Sequence, residues 1–237
     1  MELQANSIHL GDAHQLLRKL DKNSVRLFLT DPPYCVSREN GLKSIGRRGL
    51  EFGEWDKEFD QIKWLELAAP ALMPGGSMVI FNDWKNLGAI AARLKELNFD
   101  VKRKLIWLKS NPFPRNRERS FVQGTEEALW AVKKSSKYKW VFNRRADKPY
   151  ETGLFVYPVQ RSAHPTKKPT KLFKEICEVL SNPGDLIVDP FAGAGTLACA
   201  AELCSRQHIS FEQNPDSHQL AITNLANTKE SLNNAVA

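Results

Sequence analysis

Short apolar runs that stop at an acid or a glycine alternate with helical patterns along almost the whole chain, and few architectures accept that order. Ile8-His9-Leu10 stops at Gly11-Asp12 and leads into a helical pattern over Ala13 to Leu20. Val25 to Thr30 reads as a buried strand that stops at Asp31. Gln61 to Leu72 reads as a helix ended by Pro74-Gly75-Gly76, followed by a strand from Ser77 to Phe81. Leu87, Ile90, Ala91, Leu94 and Leu97 recur at helical spacing and define an amphipathic helix over Leu87 to Leu97. Val101 to Leu108 and Ala128 to Val132 read as strands. The alternation resumes with a helix from Pro169 to Leu180, a strand from Leu186 to Val188 and a helix from Thr196 to Leu203. A strand from His208 to Phe211 and a helix from Pro215 to Leu225 or beyond follow, with a polar tail from about Lys229 expected to fray. Strands alternating with helices predict an α/β fold with a doubly wound, mostly parallel sheet.

The stretch from Ser135 to Pro165 breaks this order. It is polar and basic but carries Tyr138, Trp140, Phe142, Tyr150, Phe155 and Tyr157, too many aromatics for a disordered segment. It reads as an insertion, 135–165, within one domain that spans 1–237. Glu39 to Glu54, with Gly41, Gly46, Gly49 and Gly53 among basic residues, reads as a mobile loop. The formal net charge is +7, and the basic residues are grouped. Arg38, Lys43, Arg47 and Arg48 form one group and Arg115, Arg117 and Arg119 a second. Lys133, Lys134, Lys137, Lys139, Arg144, Arg145 and Lys148 form a third. Each group alone reads as a solvated loop; three of them favour a polyanionic partner. Cys35, Cys177, Cys199 and Cys204 form no CxxC pair and no zinc-ligand pattern. With no secretory signal pattern at Met1 to Asn6 and no apolar run of membrane-spanning length, a cytoplasmic protein is expected.

Two strand ends carry the chemistry. Asp31-Pro32-Pro33-Tyr34 joins a carboxylate, two rigid prolines without N–H groups and an aromatic face. Taken alone it also fits a strand-ending turn; as a surface it suits a planar ring bearing an exocyclic amino group. Asp189-Pro190-Phe191-Ala192-Gly193-Ala194-Gly195-Thr196 follows the strand at Leu186 to Val188 and opens a helix. Its glycines admit close approach of a ligand to the helix N-terminus. Glu212 ends the next strand, near the spacing of roughly 20 residues at which an acid binds ribose hydroxyls in nucleotide-binding α/β folds. A ribose-binding acid without a P-loop lysine suggests a nucleoside cofactor without a polyphosphate, and S-adenosylmethionine fits.

The two motifs, in this order, resemble the β-group of DNA amino-methyltransferases, in which the catalytic motif precedes the cofactor motif. His164-Pro165-Thr166-Lys167-Lys168-Pro169 resembles the segment before the family's cofactor loop, and Gly11-Asp12 resembles its cofactor-adenine site. The resemblance implies the S-adenosylmethionine-dependent methyltransferase fold, circularly permuted, with 135–165 as a small target-recognition insertion. It implies that Asp31 and the Pro32 carbonyl accept hydrogen bonds from the target amine, that Pro33 rigidifies the turn, and that Tyr34 stacks on a flipped-out base. It implies a cofactor site of Asp12, Lys168, Asp189, Phe191, Gly193, Gly195, Thr196 and Glu212, with Lys168 on the cofactor's carboxylate. On the residues alone, Asp12 also reads as a helix cap and Lys168 as a solvated first-turn lysine. Double-stranded DNA is the implied partner, with Arg47, Arg48, Arg115, Arg117 and Arg119 as contacts; a homodimer fits the group, and no metal is required. An initial Asp implies adenine N6 rather than cytosine N4 as the target.

Overall fold

The computed structural model describes residues 3–34, 59–60, 62–114, 118–160 and 167–236. The expected loop at Glu39 to Glu54 lies outside these residues, as do Cys35, Arg47, Arg48, Arg115 and Arg117.

Eight strands form one sheet: β1 (Ser7–Leu10), β2 (Val25–Thr30), β3 (Leu72–Asn82), β4 (Phe99–Lys109), β5 (Thr125–Lys133), β6 (Leu154–Tyr157), β7 (Leu186–Asp189) and β8 (Gln207–Glu212). Their spatial order is β1-β8-β7-β2-β3-β5-β4-β6. Every pairing is parallel except those of β5, which runs antiparallel to both β3 and β4. First and last strands of the chain lie side by side, with Ser7 opposite Ile209 and Leu10 opposite Glu212. The strands that lead to Asp31 and Asp189, β2 and β7, are neighbours. The doubly wound, mostly parallel, permuted sheet expected from the sequence is the observed one.

Six helices complete the described chain: α1 (Ala13–Leu17), α2 (Lys63–Ala68), α3 (Trp84–Glu96), α4 (Thr170–Leu180), α5 (Thr196–Glu202) and α6 (Pro215–Val236). Alternation along the strands sorts the core into two layers. Phe28, Met78, Ile80, Val188 and Phe211 point to one face, where Leu17, Trp64, Leu65, Ile90 and Leu94 of α1, α2 and α3 cover them. Leu27, Leu29, Val79, Phe81 and Ile187 point to the other, beneath Leu172, Phe173, Ile176 and Leu197 of α4 and α5. A strand buried on both faces needs a continuous apolar run, and the fully buried Leu27-Phe28-Leu29 supply it in β2. Each fully buried Leu, Ile or Phe adds about 1.5–3 kcal/mol of transfer free energy, so the central strands anchor the sheet.

Three elements differ from their sequence expectation. The helix expected over 61–72 ends at Ala68, and Leu72 already begins β3. Pro74, Gly75 and Gly76 lie inside that strand, where the β2 register jumps from Val25–Leu72 to Leu27–Ser77. Proline cannot donate to a ladder, so the extra residues bulge out. Gly75 adopts φ +78°, and a Cβ there would stand 3.0 Å from the Lys139 carbonyl oxygen. The Lys133 ammonium donates to the carbonyls of Ala69 at 2.8 Å and Leu72 at 2.6 Å, satisfying the end of the short helix. The second difference is α6, which continues through Lys229 to Val236 instead of fraying; Lys229 reaches Glu202 on α5 at 3.1 Å. The third is 135–165, which contributes β6 to the sheet, paired parallel to β4 from Ile106–Leu154 to Lys109–Tyr157.

Candidate active site

Because β2, β4, β6, β7 and β8 run the same way, their C-terminal ends share one sheet edge. Asp31, Asp189 and Glu212 all lie there, with the start of antiparallel β5. Thr30, the last residue of β2, donates its hydroxyl to Asp189 Oδ1 at 2.6 Å, tying the two motifs together. The Phe191 N–H donates to the same oxygen at 3.0 Å.

Both oxygens of Asp31 are held. Tyr34 donates its hydroxyl to Oδ1, and the Lys168 ammonium donates to Oδ2. Lys168 is buried at 4% exposure, and its Nζ also lies 2.9 Å from Glu126 Oε2. Glu126 in turn meets Lys109 at 2.8 Å. The solvated alternative for Lys168 is therefore excluded. The partner expected for it was a cofactor carboxylate; the structure gives it two carboxylates of the protein itself. Burial raises the Asp31 carboxyl, Lys168 opposes that rise, and Glu126 adds to it. Burial disfavours the Lys168 ammonium, but Asp31 and Glu126 outweigh it and hold the lysine charged. Burial would likewise raise Glu126, but Lys168 and Lys109 outweigh it and hold the carboxyl below its usual range. Burial and the Asp31 charge push the Tyr34 phenol up, so it stays a donor.

The N-terminus of α3 grips the tetrapeptide from below. Asn86 Nδ2 donates to the Tyr34 carbonyl at 3.0 Å and to Asn82 Oδ1 at 2.8 Å. Asp83, the N-cap of α3, donates its own N–H to Asn82 Oδ1 at 2.9 Å.

The cofactor-type turn is built as its spacing implies. Gly195 is the N-cap of α5 at φ +76°, a left-handed conformation that costs a side-chain-bearing residue about 1–2 kcal/mol. A Cβ at Gly195 would also stand 3.0 Å from the Ala221 Cβ. Gly193 donates its N–H to Glu212 Oε2 at 2.8 Å, and Asn214 donates to Oε1 at 2.9 Å. Thr196 is buried behind the turn. Phe191 meets Phe59 and Trp64 edge-on, at centroid distances of 5.1 and 5.5 Å. Asp12 is the N-cap of α1 and accepts from Gln15 N at 3.0 Å; its second oxygen lies 3.7 Å from His14 Nδ1. Burial pushes the Asp189 carboxyl up to about 7, with Asp31 and Glu212 adding to the rise and the Thr30 and Phe191 donors opposing it. A buried acid so poorly compensated fits a cationic ligand group, and the glycine turn beside it fits close backbone contact. The residues present thus suit S-adenosylmethionine, whose ammonium and sulfonium are cationic.

The same edge carries the connection 110–124 between β4 and β5. Phe113, Phe121 and Arg119 are exposed there. Among the described residues no group of three His, Cys, Asp or Glu side chains could hold a metal ion, and no helix is long and apolar enough to cross a membrane.

The DNA methylase family model covering N6-adenine and N4-cytosine methyltransferases matches residues 25–223. The chain belongs to this family. It is 29% identical over 232 residues to the type II methyltransferase M2.DpnII of Streptococcus pneumoniae, covering 89% of this chain and 86% of that protein. It is 27% identical, with the same coverage, to M2.LlaDCHI of Lactococcus lactis subsp. cremoris. Among solved structures, the M1.HpyAVI–SAM complex superposes with a TM-score of 0.74 at 34% identity, over 92% of this chain and 98% of that one. The cytosine-N4-specific PvuII DNA methyltransferase shares the fold, with a TM-score of 0.72 at 20% identity over 94% of this chain and 87% of that one. The protein is thus a restriction-modification-like DNA methyltransferase of the amino type, and its cofactor is S-adenosylmethionine.

Glu126, Lys109, Asn86 and Thr30 escaped the sequence reading. Glu126 was hidden because the strand was expected to begin at Ala128, three residues after the observed start at Thr125. Alternation from Ala128 back through Glu126 would have turned that acid toward the same face as the buried alanine.

Proposed function

We propose that this methyltransferase acts on the N6 amino group of adenine in duplex DNA, on a base flipped out of the helix. The observation that carries the proposal is the placement of Asp31 and Asp189 at the C-terminal ends of the neighbouring strands β2 and β7, bridged by the Thr30–Asp189 bond, which sets an amine acceptor beside a site for a cationic cofactor. Bound S-adenosylmethionine supplies the electrophilic methyl carbon. Asp31 Oδ1 and the Pro32 carbonyl accept hydrogen bonds from the target amine and aim its lone pair. The Tyr34 hydroxyl gives up Oδ1 as the base enters, and its ring stacks on the base. Asp31 keeps its charge through Lys168 and can take up the proton that the alkylated nitrogen sheds. Positioning and exclusion of water supply most of the acceleration. Glu212 is assigned to the ribose, Asp12 to the adenine end, and Asp189, Phe191, Gly193, Gly195 and Thr196 to the rest of the cofactor.

The DNA surface is assigned to the sheet edge around the site. Arg119 belongs to the connection 110–124 on that edge, and Phe121 beside it is an exposed apolar side chain able to fill the gap left by a flipped base. Arg47, Arg48, Arg115 and Arg117 join it in this reading, with 135–165 reading the target sequence. A homodimer belongs to the same proposal and is checked by sedimentation.

Transfer of labelled methyl from S-adenosylmethionine to unmethylated duplex DNA, followed by nucleoside analysis, tests the reading. Label in N6-methyladenine is expected. Label in N4-methylcytosine would keep the site roles and overturn the base; cofactor binding with no label in DNA would overturn the activity.

A further inference from the structure

Four side chains of alternating charge cross the floor of the site. Asp31 follows β2, Lys168 precedes α4, Glu126 lies near the start of β5 and Lys109 ends β4. A lysine at 4% exposure needs compensation, and Asp31 alone could provide it. A lysine held only by Asp31 would be free to span both carboxylate oxygens and compete with the incoming amine. Glu126 counters that by binding the same ammonium at 2.9 Å. The ammonium then engages Oδ2, and Oδ1 faces the Tyr34 hydroxyl, the position a donor on the substrate would take. Lys109 anchors the other oxygen of Glu126 at 2.8 Å and completes the chain of charges.

We propose that Glu126 is a positioning residue for methyl transfer: through Lys168 it fixes the Asp31 carboxylate so that Oδ1 is the acceptor for the target amine. The proposal rests on the reading of Asp31 as that acceptor in DNA methylation.

The charged and titratable groups around Asp31 are Lys168, Tyr34, Glu126 and Asp189, with Asp83 acting on Tyr34. Their signs separate an electrostatic role from a merely structural one. Asp31 works ionised, so activity falls as pH drops through its pKa. Glu126 raises that pKa and Lys168 lowers it. Glu126→Gln should move the acid limb of kcat to lower pH, and Lys168→Met should move it to higher pH.

The experiment uses the full chain, duplex DNA and labelled S-adenosylmethionine. Wild-type protein comes first: no transfer to DNA would overturn the underlying reading of the site, independently of any variant. Given transfer, Glu126→Gln should lower the kcat plateau roughly 10- to 100-fold, as misplacement of a reacting group does, with KM for the cofactor unchanged. Glu126→Asp keeps the charge but withdraws it from Lys168, so it should lose less, and it carries the test alone if the glutamine variant does not fold. Wild-type kcat in Glu126→Gln would overturn the proposal. So would a loss confined to the cofactor KM, which would assign Lys168 to the cofactor carboxylate, or a lowered plateau with an unmoved acid limb.

Discussion

The Thr30 hydroxyl lies 2.6 Å from Asp189 Oδ1, so the residue before Asp31 holds the acid that ends β7. The two motifs stand far apart in sequence, yet this one bond links them across β2 and β7. Among the described residues, the side-chain oxygens of Asp189 meet neutral donors, Thr30 and the Phe191 N–H, and no cation.

Asp189 therefore predicts a pH-dependent cofactor affinity. Its folded-state carboxyl is pushed up to about 7 by burial. A cationic ligand favours the ionised form, so binding should expel a proton near and below pH 7. Affinity for S-adenosylmethionine should fall with decreasing pH below 7, by at most about tenfold per unit. Calorimetry in buffers of different ionisation enthalpy reads the proton directly. Asp189→Asn should weaken binding and flatten the profile; a flat wild-type profile would remove the ammonium from Asp189. The fold itself responds in the opposite sense. A carboxyl with a raised folded-state pKa stabilises fully below its unfolded value, and that contribution is lost as pH rises through about 7. Without cofactor, the wild type should therefore lose more stability between pH 5 and 8 than Asp189→Asn.

Asp31→Ala should abolish transfer, and Asp31→Asn should lower kcat by roughly 100- to 1,000-fold, the usual loss when one preorganised polar partner of a transition state is removed. Cofactor binding should persist in the asparagine variant, since the turn at 190–195 is held by Glu212 and Ala192 and not by Asp31. The alanine variant should also unfold more easily, because Lys168 loses one of its two carboxylates. Initial rates, calorimetry and thermal melts separate the three effects.

Asn86→Ala removes the donor to the Tyr34 carbonyl and to Asn82. With these part-buried acceptors left without that donor, stability should fall by about 1–3 kcal/mol. Tyr34 should lose its fixed place, so kcat for DNA should drop while cofactor affinity stays. An unchanged kcat in a destabilised variant would make Asn86 a scaffold residue only.

The strand–helix alternation and the glycine turn were legible because each is a local pattern, whereas the permuted sheet that makes β2 and β7 neighbours was implied by the family resemblance. Val25 to Thr30 reads locally as a buried strand, and Gly193 to Thr196 as a helix entry. What escaped depends on partners remote in sequence. Pro74-Gly75-Gly76 reads as a stop signal locally, yet pairing with β2 on either side of it, at Leu72 and from Ser77 on, makes a bulged strand. The Lys168–Glu126 contact joins a linker to a strand start that no short-range periodicity brings together. Lys229 looked like a fraying end because its partner, Glu202, sits on another helix.

Arg119→Ala should weaken binding to duplex DNA evenly across sequences and reduce the slope of log affinity against log salt by about 1, if its guanidinium neutralises one phosphate. Filter binding or anisotropy across a salt series measures it. A loss limited to one target sequence, with the slope intact, would instead make Arg119 a base-reading residue.

Gly195→Ala meets two separate penalties, and they can be told apart. The φ of +76° costs an alanine about 1–2 kcal/mol, whatever surrounds it. The added Cβ would stand 3.0 Å from the Ala221 Cβ and 3.2 Å from its Cα and carbonyl oxygen. Relief requires α6 to move away from α5, against the Asn224 side chain that binds the Ala194 carbonyl at 2.9 Å. The variant should therefore be destabilised by more than the dihedral penalty alone. Ala221→Gly removes the tightest of the three contacts but neither the backbone contacts nor the dihedral strain. The double variant should recover part of the loss and never all of it, once the cost of a helical glycine, about 1 kcal/mol, is measured in Ala221→Gly itself. Urea midpoints for the four members of this cycle give the coupling. No coupling would mean that α6 yields freely at Ala221, and cofactor affinity would then track the dihedral strain alone.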